Sequence, residues 1–150
     1  MQVLGIKTDL IKPGDDLADK LEKAMNDADL ALQDGDILVV SESTLATAEG
    51  RLVYLENVEP SPLARLMADR YEKDPREMQL ILEESDQIVG GIPGVVLTMR
   101  EGFLYPNAGI DNSNAPPGSV VLFPSDPLAS ACQIRQRLSK GRHIAVIIGD

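Results

Sequence analysis

The residues best suited to chemistry lie in one polar stretch, Asn107-Ala108-Gly109-Ile110-Asp111-Asn112-Ser113-Asn114-Ala115-Pro116-Pro117-Gly118. Asp111 is its lone charge, set among amide and hydroxyl groups that suit a hard cation or phosphate oxygens. The same residue types make ordinary turns, so composition leaves both readings open. The chain has one histidine, His143, and one cysteine, Cys132. Any bound ion must therefore rely on oxygen ligands, and Mg2+, Mn2+ or Ca2+ are the candidates. Asp150 follows the apolar, β-branched stretch from His143 to Ile148. A carboxylate just past such a strand lies where open α/β sheets place ligands, with a helix cap as the alternative. Spacing alone does not show that Asp111 and Asp150 meet.

Other polar clusters are less specific. In Ala48-Glu49-Gly50-Arg51, Gly50 permits close backbone approach, and Glu49 and Arg51 either meet a ligand or form an exposed hairpin ion pair. His143 reads as a structural or surface residue and Cys132 as a small buried hydrophobe on the last helix. No Gly-x-Ser-x-Gly elbow and no Walker A loop occurs. A nucleotide, if bound, needs another kind of site.

The elements that must position these residues alternate between strand and helix. Met1 to Ile6, Ile37 to Val40, Arg51 to Leu55 and Ser119 to Phe123 read as strands, the second of them buried. Leu17, Leu21, Ala24, Met25 and Ala28 recur at helical spacing after the turn Lys12-Pro13-Gly14-Asp15. Ser61-Pro62 and Asp74-Pro75 each place a capping side chain before a proline whose missing N–H costs nothing in a first turn. Glu77 is placed for a capping box. Leu63, Leu66, Met67 and Tyr71 should share one inner face, and Met78, Ile81 and Leu82 the next. Gly90-Gly91-Ile92-Pro93-Gly94 should break the chain, and Glu101-Gly102 should turn a hairpin. Asp126-Pro127 starts a last helix with Leu128, Ala131, Ile134 and Leu138 inward. His143 to Ile148 reads as a central strand, and its abrupt end points to a fragment of a larger fold.

Length and charge set limits. The 150 residues, 43% of them hydrophobic, suffice for one domain with a sizeable core, residues 1–150. Fourteen basic against 24 acidic residues give a net charge of −10, a surface that repels nucleic acid and anionic membranes. No apolar run spans a bilayer, no signal peptide opens the chain, and one cysteine excludes a disulfide framework. The expectation is a soluble, cytoplasmic protein.

Five segments together carry a resemblance. They are Leu10-Ile11-Lys12-Pro13-Gly14-Asp15-Asp16-Leu17, Ala48-Glu49-Gly50-Arg51, Leu82-Glu83-Glu84-Ser85, Asn107 to Asn114, and Leu122-Phe123-Pro124-Ser125-Asp126-Pro127. In this order they resemble the coenzyme F-420-0:L-glutamate ligases (gamma-glutamyl ligases), specifically their N-terminal portion. The resemblance implies a mixed α/β fold, a mixed sheet with flanking helices, and an intertwined homodimer. It implies a ligase that uses GTP and Mg2+ or Mn2+, with K+ as a further candidate ion, to add L-glutamate to coenzyme F-420-0. The alternative is a non-catalytic nucleotide- or metal-binding or regulatory homologue.

Carried over by position, the resemblance makes Asp111 and Asp150 metal ligands. It makes Asp9, Leu10, Ile11, Lys12, Glu42, Ser43, Thr47 and Asn114 nucleotide contacts, and assigns no catalytic residue. One departure bears on this. Family members carry a Ser-Lys pair where this chain has Ala46 and Thr47. Loss of that charge-assisted phosphate contact costs ~1.5–3 kcal/mol. The resemblance also implies that the family continues past the position of Asp150 with another metal ligand and a later nucleotide-binding loop.

Overall fold

The structure, a computed structural model, describes residues 2–149. In chain order its elements are α1 (Leu17–Asp27), β1 (Ile37–Val40), α2 (Glu42–Ala48), β2 (Leu52–Tyr54), α3 (Pro62–Tyr71) and α4 (Pro75–Glu83). They continue as β3 (Gln87–Ile92), β4 (Val95–Arg100), β5 (Phe103–Pro106), β6 (Ser119–Val121), α5 (Pro127–Ser139) and β7 (Ala145–Ile148). This is the mixed α/β class expected. Contacts divide the chain into two compact units, Met1–Arg51 with Pro124–Asp150, and Leu52–Phe123. Among the described residues no helix is long and apolar enough to cross a membrane.

The first unit is built on α1, whose N-cap Asp16 accepts the Asp19 N–H (3.0 Å). Its stripe of Leu17, Leu21 and Met25 enters one core with Leu38 and Val40 of β1, Leu45 and Ala48 of α2, and Ile134 and Leu138 of α5. Ala28, expected on that stripe, is the exposed C-cap. β1 and β7 run parallel, with Ile37 opposite Ala145 and Val40 opposite Ile148. Pleating turns Leu38 and Val40 inward, while Ile37 and Val39 stay exposed, so β1 is half-buried rather than buried. β7 is not the central strand expected: among the described residues it pairs with β1 alone.

Three further expectations fail here for identifiable reasons. Residues 2–6 form no strand, and Val3 is exposed; an apolar run without a ladder partner gains nothing from extending. The expected start of that strand, Met1, lies outside the described residues. Leu128 and Cys132 are exposed. Ile134 and Leu138 define the inner face of α5, and Cys132 lies about 200° round the helix from Ile134. Salt links from Arg137 to Asp16 and Asp19, and from Lys140 to Glu22, then tie α5 to α1.

The second unit gathers Ala68, Tyr71, Met78, Leu80, Ile81, Val96, Ala108, Ile110, Val120 and Leu122 in one core. α3 and α4 start where Ser61-Pro62 and Asp74-Pro75 indicate, with Ser61 accepting the Ala64 N–H (3.2 Å) and Asp74 the Arg76 N–H (2.8 Å). The inner face of α3 is Ala64, Ala68 and Tyr71, whereas Leu63 and Leu66 are exposed. Small alanines let the helix approach its neighbours closely, and the leucines lie off that contact. Glu77 forms an ion pair with Lys73 (2.9 Å).

β3, β4 and β5 form an antiparallel sheet in that order, and β2 pairs antiparallel with β6. The expected Glu101-Gly102 hairpin joins β4 to β5, with φ of 52° and 82° at the turn. The Gly90-Gly91 pair does not break the chain but lies within β3, where the register shifts between Ile88 and Gly90; the expected break falls at Pro93-Gly94, between β3 and β4. A side chain at Gly91 would come within 2.5 Å of the Val95 carbonyl oxygen and 2.9 Å of the Tyr71 ring. The glycine serves close packing inside a strand.

Candidate functional site

The candidate carboxylate Asp111 is positioned entirely within the second unit. β5 runs into a tight turn, Asn107–Gly109, whose three residues have φ of 50°, 56° and 73°. Left-handed backbone is unfavourable for asparagine and more so for alanine. Side chains hold it. The Asn107 Oδ1 accepts the Val96 N–H (2.9 Å), and the Ala108 N–H donates to the Thr98 Oγ1 (3.1 Å). The Thr98 hydroxyl in turn donates to the Tyr105 carbonyl (2.8 Å). Beyond the turn, Ile110 is buried and Asp111 exchanges two main-chain hydrogen bonds with Val121, of 2.9 and 2.8 Å.

The Asp111 side chain is half-buried and organised by its own loop. Oδ1 accepts the Ser113 N–H (2.8 Å) and hydroxyl (2.6 Å), and Oδ2 accepts the Asn114 amide (3.0 Å). Partial burial opposes its ionisation, but donors from Ser113 and Asn114 outweigh that and hold the carboxyl below the usual aspartate range. An ionised oxygen donor flanked by hydroxyl and amide oxygens suits Mg2+ or Mn2+ in kind. Among the described residues no group of three histidine, cysteine, aspartate or glutamate side chains converges on one point. An ion at Asp111 would complete its shell with water and ligand oxygens. The second carboxylate, Asp150, lies outside the described residues.

The remaining nucleotide candidates belong to the first unit. Asp9 meets the Lys23 ammonium (2.6 Å), which keeps its carboxyl below the usual range. Leu10 is exposed, and Ile11 packs on the core. The Lys12 N–H donates to Asp15 Oδ2 (2.8 Å), and Gly14 N–H reaches the Ala48 carbonyl (2.9 Å), so this turn abuts the end of α2. Glu42, Ser43 and Thr47 all lie on α2, an element absent from the sequence reading, which starts at the N-cap Ser41 directly after β1. The Gly149 N–H donates to the Val40 carbonyl (3.1 Å), so the C-terminal ends of β1 and β7 lie together beside that helix start. This is where parallel strands present ligand-binding groups. The Thr47 hydroxyl donates to the Ser43 carbonyl (2.7 Å), and Ala46 is fully buried.

Comparison with known proteins decides the family. The family model described as F420-0:Gamma-glutamyl ligase matches residues 5–150. The chain belongs to the F420-0:gamma-glutamyl ligase family. It is 41% identical over 143 residues to the Coenzyme F420:L-glutamate ligase of Methanopyrus kandleri, covering 93% of this chain and 55% of that relative. The protein of the same name from Methanothermobacter thermautotrophicus is 42% identical over 144 residues, covering 94% and 57%. That from Archaeoglobus fulgidus is 38% identical over 143 residues, covering 94% and 55%. The chain thus spans about half the length of the curated relatives it matches.

The structure brings Asp111, Ser113 and Asn114 together, and separately gathers Glu42, Ser43 and Thr47 on α2. Glu49 is claimed by the chain itself: its carboxylate accepts the Ser125 N–H and the Ser130 hydroxyl, both at 2.8 Å. Gly50 answers a φ of +77° after α2, and no atom crowds its Cβ position. The sequence reading missed Thr98. Its signal was parity, since it shares the inward face of β4 with Val96 where an apolar residue is expected.

Proposed function

We propose that this chain forms part of a GTP- and divalent-metal-dependent ligase that adds L-glutamate to coenzyme F420-0 and extends its tail through gamma-linked glutamates. The family match over residues 5–150 carries this reading. The relatives named Coenzyme F420:L-glutamate ligase support it. The reaction requires an activated carboxylate. The γ-phosphoryl group of GTP passes to the acceptor carboxylate, giving an acyl phosphate and GDP. The glutamate amine then attacks the acyl carbon, phosphate leaves, and the amine proton is lost to solvent or base. Bound Mg2+ or Mn2+ supplies charge neutralisation during phosphoryl transfer.

The chain's own residues have defined tasks in this reading. Asp111 holds the cation, and Ser113 and Asn114 keep its carboxylate ionised and oriented. Asn114 gives its amide N–H to Asp111 and keeps its Oδ1 for the nucleotide. Asp9, Leu10, Ile11, Lys12, Glu42, Ser43 and Thr47 form the nucleotide contacts, with Lys12 as the cation that position 47 lacks. Asp150 is the second metal ligand, and the functional assembly is a homodimer in the cytoplasm.

The test is to incubate the gene product carrying this chain with F420-0, GTP, L-glutamate and Mn2+ or Mg2+, and to follow product mass. Glutamate addition that requires each component is expected, and Asp111→Asn should slow it about a hundredfold, equivalent to ~2.7 kcal/mol. A specific observation favours one second reading, a nucleotide- or metal-binding or regulatory homologue without turnover. Ala46 is buried and the Thr47 hydroxyl is engaged within α2, where the resemblance expects a Ser-Lys pair. Metal-dependent GTP binding with no mass gain would select it.

A further inference from the structure

β4 carries Thr98 with no exposed surface, at an inward position where an apolar residue is expected. A buried hydroxyl is tolerated when its donor and acceptor capacities are both used, and here both are used on the segment leading to Asp111. It donates to the Tyr105 carbonyl and accepts from the Ala108 N–H. Asn107 makes the reciprocal bond, its Oδ1 accepting the Val96 N–H from β4. Together they clamp Asn107 and Ala108 at φ of 50° and 56°, a left-handed conformation that asparagine tolerates and alanine disfavours. The exit from this turn is fixed as well, because Gly109 lies against the Phe123 ring and Asp111 is bonded twice to Val121.

We propose that Thr98 and Asn107 are positioning residues for Asp111. The threonine hydroxyl and the asparagine amide hold a left-handed turn, and that turn delivers the Asp111 carboxylate to Ser113 and Asn114. Its consequence for catalysis rests on the reading of Asp111 as a cation ligand; its geometry does not. Groups behind a metal ligand commonly govern affinity without touching the ion.

The experiment uses the gene product carrying this chain, with Thr98→Val, Thr98→Ser and Asp111→Asn variants. Amide exchange is followed by NMR at Ala108 and at Ser113, whose N–H reports the bond to Asp111. Mn2+ alone is titrated by electron paramagnetic resonance. Thr98→Val should speed exchange at both amides about tenfold, leave Ile81 in α4 unchanged, and weaken Mn2+ binding about tenfold. Thr98→Ser, which keeps the hydroxyl, should restore both readouts. Unchanged Ser113 exchange in Thr98→Val, or equal loss in Thr98→Ser, overturns the proposal. If Thr98→Val fails to fold, Asn107→Ala takes its place: faster Ser113 exchange supports the clamp and unchanged exchange overturns it. Mn2+ binding that survives Asp111→Asn sinks the cation reading instead, while the Ser113 amide still decides the positioning role.

Discussion

At Gly109 two demands fall on one residue. Its φ is +73°, and a Cβ there would stand 2.5 Å from a carbon of the Phe123 ring. That ring cannot simply swing away: it stacks at a tilt on Tyr105, with centroids 4.8 Å apart, and Arg100 lies 5.3 Å over its face. Gly50 also has positive φ, +77°, but open space where a side chain would go. Conformational strain alone costs ~1 kcal/mol, and forced overpacking adds ~1–3 kcal/mol. Gly109→Ala should therefore destabilise the chain by ~2–4 kcal/mol and Gly50→Ala by ~1 kcal/mol, read from urea midpoints at constant slope. Equal losses at the two sites would show that Phe123 yields easily.

At the scale of elements, legibility followed the range of the interaction. The helices after Ser61-Pro62, Asp74-Pro75 and Asp126-Pro127 were readable because cap and proline act within one turn. α2 was missed because seven residues show too little periodicity, and β3 because the packing of Gly91 on Val95 and Tyr71 overrides glycine's local meaning. The candidate site divides in the same way. Asp111 with Ser113 and Asn114 is a local loop and could be read, whereas Thr98 acts across strands and shows in the sequence only as an inward polar position. The start of α4 offers a pH test of such local chemistry. The Arg76 guanidinium bonded to Asp74 holds that carboxyl below the usual aspartate range. A depressed folded-state pKa stabilises above the unfolded value of about 3.9, and that stabilisation is lost as pH falls through the folded value. Asp74→Asn keeps a cap acceptor but cannot ionise. Wild type should lose its advantage over Asp74→Asn as pH drops below about 4, measured by urea unfolding from pH 7 to 3. A constant difference across that range would exclude the ion pair as its source.

For the molecule as a whole, the balance of charge sets the response to salt. Ion pairs such as Lys23–Asp9 (2.6 Å) and Arg65–Glu59 (3.4 Å) are exposed, so each contributes little, and salt would weaken it further. Against them stand 24 acidic and 14 basic residues, a net charge of −10 whose self-repulsion opposes the compact state. Each unit has its own apolar core, and salt does not weaken that contribution. The Debye length shrinks from about 30 Å at 0.01 M to about 8 Å at 0.15 M. Screening over that range removes repulsion between distant carboxylates, while pairs in contact retain more of their attraction. The thermal midpoint should therefore rise by several degrees, roughly 1 kcal/mol, when KCl is raised from 0.01 to 0.15 M at pH 7, followed by circular dichroism. A midpoint that falls instead would mean that the surface pairs outweigh the excess of negative charge.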